Sequence, residues 1–318
     1  LNYPVFSLSF SSSSFIFHYI FFPNRNQVYF FFSIGYFEKY GIMKKSNRKL
    51  EKRTGKLIDF FLLSFYPKKG GNFMKYVKRI LLFLLIALVV VASVILLNGY
   101  KMHASALEQQ SLADKVSEIQ NSDNFCSKED LPNQYWNAII AVEDHRFYQH
   151  GPIDPIALLR AFVVNVRSQE LSEGGSTITQ QVAKNLYYIT EKDVVNRKIA
   201  EIFTAYELER NYSKDEILEL YANTIYFGDG YYGIKEACQG YFGKDPKDMD
   251  LYESSMLAGV PNAPSAYAPT KNFDYATSRQ KKVLRSMVEY GYISQEEADQ
   301  AIANSQYTAE SFSKSDDE

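Results

Sequence analysis

The sequence contains little cysteine, since Cys126 and Cys238 are the only two in 318 residues. Two cysteines are too few for a disulfide framework, and their separation does not fit a metal site. We interpret both as ordinary thiols, with a single bridge between them as the alternative. The net charge is also small, at −2, so nothing in the balance indicates a nucleic-acid-binding surface. We therefore expect no nucleic-acid partner and no organic cofactor.

Charged residues are missing from residues 80–97, where Ser93 is the only polar side chain. This run is about as long as a helix that crosses the hydrocarbon core of a bilayer. Lys75, Lys78 and Arg79 precede it, which places the N-terminus in the cytoplasm and residues 98–318 outside. A cleaved signal peptide is the alternative, but no small-residue cleavage site follows. We expect one uncleaved membrane anchor, residues 74–98.

The first 73 residues are rich in Phe, Ser and Tyr and show no sustained helical or strand period. Residues 69–74 can be encoded with a purine-rich ribosome-binding site just ahead of an ATG for Met74. We interpret residues 1–73 as translated upstream sequence, with a disordered tail as the alternative, and exclude them from fold prediction. Loss of activity and expression in a gene that starts at Met74 would contradict this hypothesis.

Beyond the anchor, apolar residues recur with helical spacing through most of residues 130–305, which predicts a mainly α domain. Residues 99–128 are polar with scattered Leu and are expected to form a helical stalk. The domain itself is assigned to residues 129–306. The Ser-, Asp- and Glu-rich end, residues 307–318, is expected to be a disordered tail.

Acidic, basic and aromatic residues crowd together where the first helix of this domain ends. The apolar run 136–142 is followed by five polar side chains: Glu143, Asp144, His145, Arg146 and His150. A carboxylate at the end of an apolar helix is held partly out of water, which raises its pKa and suits it to proton transfer. The alternative is a solvated helix end with Phe147 in the core.

A glycine-rich turn, Gly174-Gly175, opens a further helix in the stretch GGSTITQQVAKN. Glycine permits close backbone approach, and Ser176 or Thr177 can cap the helix. A helix start of this kind is a natural anion site. Three polar residues follow on the helix, with the first and last on one face: Gln180, Gln181 and Lys184. The alternative is a capped helix with a polar surface.

A third polar group, Arg197, Lys198 and Glu201, lies in a long helix that is predicted to run to about residue 210. Because Arg197 and Glu201 are four positions apart, an ordinary surface ion pair is the alternative explanation. Further along, residues 226–233 place three glycines among aromatic residues, and residues 251–269 predict a helix followed by a Pro-rich segment.

These segments, in this order over residues 125–290, resemble the five signatures of the peptidoglycan glycosyltransferases, glycosyltransferase family 51. The resemblance implies a lysozyme-like fold with a large lobe and a smaller, membrane-hugging lobe. It also implies polymerisation of lipid II into β-1,4 glycan strands with release of undecaprenyl diphosphate, for bacterial cell wall synthesis. The implied partners are lipid II, the lipid-linked glycan chain, the cytoplasmic membrane and other cell-wall synthesis proteins. A divalent cation, Mg²⁺ or Mn²⁺, is implied in the same way.

The resemblance also gives the residues their roles. Glu143 is the general base that takes the proton from the 4-hydroxyl of the acceptor, and Glu201 orients substrate or a divalent ion near the diphosphate. The other site residues bind substrate: Asp144, His150, Ser176, Thr177, Gln180, Gln181, Lys184, Lys192, Arg197 and Lys198. Lys192 is the nearest basic residue between the second and third signatures, and its spacing leaves the match open. No metal-ligand set is visible in the sequence.

Three other readings remain. A lytic enzyme that cleaves glycan also uses two carboxylates on a helical fold, but the basic and amide groups after Gly174 suit a phosphate better. A non-enzymatic scaffold of the wall machinery is disfavoured because the acidic and basic motif positions are intact. The front half of a bifunctional penicillin-binding protein is disfavoured because Ser278-x-x-Lys281 has no accompanying Lys-Thr-Gly. We therefore predict a monofunctional enzyme.

Overall fold

The computed structural model describes residues 5–9, 15–22, 27–34, 73–168 and 174–313, the first three segments by their backbone alone. Residues 1–87 and residues 88–318 are two compact units. In the first, strands β1 (Val5–Ser9), β2 (Phe15–Phe22) and β3 (Gln27–Ile34) form an antiparallel sheet in the order β1-β2-β3. Runs of Phe, Tyr and Ile, which have high β propensity, make up much of these three strands. The interpretation of residues 1–73 as translated upstream sequence stays a prediction.

Helices make up nearly all of the remaining regular structure that the described residues contain, which confirms the mainly α prediction. They are α1 Phe73–Gln109, α2 Leu112–Gln120, α3 Asn133–Glu143, α4 Pro155–Ser168, α5 Ile178–Ala183, α6 Val194–Asn211, α7 Lys214–Thr224, α8 Ile234–Phe242, α9 Leu251–Gly259, α10 Pro264–Tyr267, α11 Phe273–Glu289, α12 Gln295–Ala303 and α13 Ala309–Ser313. Helices α5, α7, α9 and α12 each begin with a capping box, in which the N-cap side chain and the side chain three positions later accept hydrogen bonds from each other's backbone N–H.

The helix α1 contains the predicted anchor, residues 74–98, and is long and apolar enough to cross a membrane. It does not end there, because the helix continues to Gln109. The predicted helical stalk, residues 99–128, is helical over much of its length, and parts of it also pack against the domain. His103 is 8% exposed, and Leu112 and Val116 of α2 are buried in the core, because their spacing of four places both on one face of α2.

The core is built around α3, which lies against α9 and α11. Three of its apolar residues, Tyr135, Ala138 and Ile139, are completely buried. Neighbouring helices therefore pack on more than one side of α3, which explains the apolar run in its second half. Its C-terminal residue is Glu143, so the packing of α3 fixes where that carboxylate lies.

Within the predicted disordered tail, residues 307–318, the described residues 307–313 pack against the domain, and residues 314–318 lie outside the described residues. Phe312 of α13 is 4% exposed, and its ring packs against Phe242 and Phe273. The Tyr307 hydroxyl donates to the buried Glu253 carboxylate at 2.5 Å. Tyr307 and Phe312 thus hold residues 307–313 against the domain, although the polar composition of this segment predicts disorder.

Candidate active site

The second unit contains a cleft of about 690 Å³. Six basic side chains line it against four carboxylates. The basic residues are Arg160, Lys184, Arg197, Lys198, Arg279 and Lys282, and the acidic ones are Glu143, Asp144, Glu201 and Glu289. The excess of basic side chains suits a ligand that carries negative charge.

Glu143 projects into this cleft from the C-terminus of α3, with 10% of its side chain exposed. Its Oε2 accepts a hydrogen bond from Gln181 Nε2 at 2.9 Å, and its Oε1 accepts one from Arg279 Nη2 at 3.2 Å. Both carboxylate oxygens are thus held by donors from other helices. A base oriented in this way is ready to accept a proton from a hydroxyl that enters the cleft.

Asp144 follows Glu143 but has a different environment. Its Oδ1 accepts from His150 Nε2 at 2.7 Å, and its Oδ2 accepts from the Ile178 backbone N–H at 3.2 Å. His150 Nδ1 lies 2.5 Å from the Gly151 carbonyl oxygen. Because both ring nitrogens face acceptors, only the imidazolium satisfies both contacts. Burial lowers the pKa of His150, but the hydrogen bonds to Asp144 and Gly151 outweigh it and raise the pKa above its usual range.

The start of α5, which the sequence predicts as a natural anion site or a capped helix, is capped and accepts a carboxylate of the protein. The Ile178 N–H donates to Asp144, while Thr177 and Gln180 form a reciprocal capping box at 3.1 and 3.2 Å. The helix start therefore holds a carboxylate of the protein itself, which ties α5 to the end of α3. Thr177 is buried and does not line the cleft, whereas Gln180 and Gln181 do.

Glu201 is 1% exposed and pairs with two basic residues of its own helix, α6. Arg197 Nη1 donates to Oε1, and Lys198 Nζ lies 2.8 Å from Oε2. Lys198 Nζ also donates to Ser176 Oγ at 2.7 Å. The alternative of a surface ion pair is wrong, because this carboxylate is buried beneath the cations and fixes them at the cleft.

Lys184 lines the cleft at the start of a π-helical turn, Lys184–Tyr188, which continues α5. Such wide turns are rare and are often found at functional sites. Lys192 differs: it is exposed, in the segment between the π-helical turn and α6, and is not among the residues that line the cleft. The predicted site residues that form the cleft wall are thus Glu143, Asp144, Ser176, Gln180, Gln181, Lys184, Arg197, Lys198 and Glu201.

One wall of the cleft was missed by sequence reasoning. It is formed by Arg279, Lys282, Ser286, Glu289 and Tyr290, from α11 and its end. Their spacing of three or four places them on one face of α11, and this periodic polar stripe was the available signal. His145 also faces the cleft and stacks on Tyr290, with ring centroids 4.2 Å apart and planes 6° apart.

Among the described residues, one group of three metal-ligating side chains comes together: Asp144, His150 and Asp154. It does not fit a resident metal. Asp144 is engaged by His150 and Ile178, and Asp154 makes a bidentate pair with Arg146 at 2.8 and 3.0 Å. Glu201 likewise has both oxygens paired. The divalent cation thus stays a prediction.

A sequence-family model described as Transglycosylase matches residues 109–288. A protein named as a transglycosylase in Cupriavidus necator is 42% identical over 198 residues, which cover 62% of this chain and 85% of that protein. Penicillin-binding protein 1A of Neisseria lactamica is 49% identical over 173 residues, 54% of this chain and 22% of that protein. Among solved structures, penicillin-binding protein 1A of Haemophilus influenzae matches with 24% identity and a TM-score of 0.35, over 57% of this chain and 18% of that one. The chain thus spans less than a quarter of the penicillin-binding proteins it matches.

Proposed function

Because this chain belongs to the Transglycosylase family, we propose that it polymerises lipid II into β-1,4 glycan strands and releases undecaprenyl diphosphate, in bacterial cell wall synthesis. The observation that carries the proposal is one cleft in which an oriented carboxylate, Glu143, faces the same space as a cluster of basic side chains. Polymerisation needs both, a base for the attacking hydroxyl and positive charge for the departing diphosphate.

In the proposed reaction, Glu143 takes the proton of the acceptor 4-hydroxyl as its oxygen attacks the anomeric carbon of the donor. A new carbon–oxygen bond forms, the bond to the diphosphate breaks, and the electron pair leaves with the diphosphate. Attack opposite to the leaving group inverts the configuration at the anomeric carbon. The hydrogen bonds from Gln181 and Arg279 hold Glu143 for this transfer.

The leaving diphosphate needs fixed positive charge. Arg197 and Lys198 are held by the buried Glu201, and Lys184 lines the same cleft as these two residues. Since a diphosphate is already a good leaving group, cations that neutralise it suffice and no proton donor is needed. Asp144 and His150 contribute indirectly, by fixing the end of α3 to α5.

The proposed location is the outer face of the cytoplasmic membrane, where α1 is a single-pass anchor and residues 98–318 lie outside. The basic residues that precede the apolar run support this orientation. A lipid-linked substrate also fits the exposed apolar side chains of α4, which include Ile156, Leu159, Phe162 and Val166. Such a surface suits a small lobe in contact with lipid.

The lytic alternative is disfavoured by the same cleft. Glycoside hydrolysis uses a second carboxyl group to protonate the leaving oxygen or to attack the sugar. The second carboxylate here, Glu201, has both oxygens occupied by cations instead. A basic cleft wall is unnecessary for a neutral glycan but fits a diphosphate.

The test is to incubate the full chain with labelled lipid II, with and without Mg²⁺, and to separate the products on a gel. We expect a ladder of glycan that disappears in Glu143→Gln and persists in Glu296→Gln, which changes an exposed carboxylate of α12 outside the cleft. Release of muropeptides from preformed glycan without a ladder would favour the lytic enzyme. Inactivity in both assays would favour the scaffold.

A further inference from the structure

The last turns of α1 dock closely against α6, the helix that carries the cationic cluster. Gly99 is buried, and a Cβ at this position would lie 2.4 Å from Ile199 Cβ. That distance is too short for any other side chain, so glycine allows the two backbones to approach. The next residue, Tyr100, and His103 one turn later pack against the Phe203 ring at 5.4 and 5.9 Å between centroids.

At the centre of this contact is a buried hydrogen-bond relay. His103 Nδ1 lies 2.9 Å from Thr204 Oγ1, and the Tyr188 hydroxyl lies 2.7 Å from the same oxygen. Thr204 is completely buried and Tyr188 is 2% exposed. A hydroxyl has one proton and two lone pairs, so Thr204 can serve both neighbours at once. Removing it would leave two buried polar groups without this partner.

A second contact joins the same elements. The Tyr187 hydroxyl donates to the Gln110 carbonyl, just after α1, at 3.1 Å. Tyr187 and Tyr188 are the last two residues of the π-helical turn that begins at Lys184. The end of α1 and Gln110, the residue after it, thus hold the end of the π-helical turn at Tyr187 and Tyr188. Lys184, at the start of the same turn, lines the cleft.

We propose that Thr204 is a positioning residue for Lys184, because it ties the π-helical turn to His103 of α1. The proposal rests on the proposed function in taking Lys184 as a diphosphate ligand. A π-helical turn is intrinsically unfavourable and depends on tertiary contacts to persist. Without the hydrogen bonds through Thr204 of α6, the π-helical turn relaxes and Lys184, its first residue, shifts from its position in the cleft. A small displacement of a binding group is enough to lower affinity strongly.

The matched variants are Thr204→Val, which removes the hydroxyl at nearly constant volume, and Thr204→Ser, which keeps it. Calorimetric titration of the full chain with inorganic pyrophosphate measures the cationic site directly. We expect Thr204→Val to weaken binding by about tenfold and Thr204→Ser to bind nearly as the wild type does. Ser105→Ala, at an exposed position of α1, is the control and should bind as the wild type does.

A double-mutant cycle separates positioning from general destabilisation. Lys184→Ala should weaken pyrophosphate binding, and adding Thr204→Val should weaken it no further, since the hydroxyl acts through the lysine. Additive losses, an unchanged Thr204→Val protein or no pyrophosphate binding by the wild type would each overturn the proposal. If the cycle is non-additive but the wild type forms no glycan ladder from lipid II, the relay stands and the proposed function fails.

Discussion

The Arg279 guanidinium lies 3.2 Å from Glu143 Oε1, although 136 positions separate the two residues. Arg279 is itself fixed, because its Nε donates to the Gly259 carbonyl at 3.3 Å and it is 8% exposed. One side chain of α11 thus connects the end of α9 to the end of α3. The carboxylate assigned as the base is held by a residue far outside its own motif.

Replacing Arg279 is expected to impair catalysis through Glu143. In Arg279→Gln, the carboxylate loses a charged donor and its fixed orientation, so we expect kcat for glycan polymerisation to fall by about 10²-fold. Lys281→Gln, an exposed position on the same helix, should retain activity. Steady-state kinetics with lipid II gives the comparison, and equal activities of the two variants would contradict the role of Arg279.

Breaking the Glu201 cluster is expected to destabilise the fold as well as the site. Arg197→Met removes one of two cationic partners from a carboxylate that is 1% exposed. Since losing a hydrogen bond to a buried charge costs about 1.5–3 kcal/mol, the free energy of unfolding should fall by about that amount. Urea denaturation measures it. Lys247→Met, which removes an exposed ion pair with Asp245, should leave stability nearly unchanged, and an equal loss there would argue against the buried cluster.

The contribution of His150 to stability is expected to depend on pH. Its pKa is raised in the folded state above 6.5, so its stabilisation is fully present below the unfolded-state pKa and is lost as pH rises through the folded-state pKa. The difference in free energy of unfolding between wild type and His150→Gln should therefore be largest in acid and shrink toward alkaline pH. Urea denaturation from about pH 5 to pH 9 spans the titration range of histidine. A difference that grows with pH would have the wrong sign.

The C-terminal segment is expected to stabilise the domain. A chain that ends at Gln306 loses Tyr307, with its hydrogen bond to Glu253, and the buried Phe312. Burying one large apolar side chain is worth about 1.5–3 kcal/mol, so calorimetry should show a clear fall in Tm. A chain that ends at Ser313 keeps both aromatic residues and should melt as the full chain does. If both truncations melt alike, the packing of this segment contributes little.

The helices could be predicted well because their signals are local. Helices α7 and α12 begin at capping boxes formed by Ser213 and Ser294, each with a Glu three positions later, and the apolar run of α3 ends at Glu143. What could not be predicted is that parts of residues 99–128 and 307–313 pack against the domain, since short runs with few apolar residues, such as Leu112 and Val116 or Phe312, do not show which surface they meet. Whether such a residue is buried depends on the surface it meets, which local composition does not describe.

The site shows the same division. The sequence alone determined the helical class, the apolar anchor run and the motif residues, including Glu143, Gln181 and Glu201, since these depend on residue type and spacing over a few turns. Only the tertiary structure decided that Arg279 holds Glu143, that Asp144 occupies the start of α5 and that Lys192 lies outside the cleft. These are contacts or separations between distant segments. They follow from how whole helices pack, and no local periodicity encodes that packing.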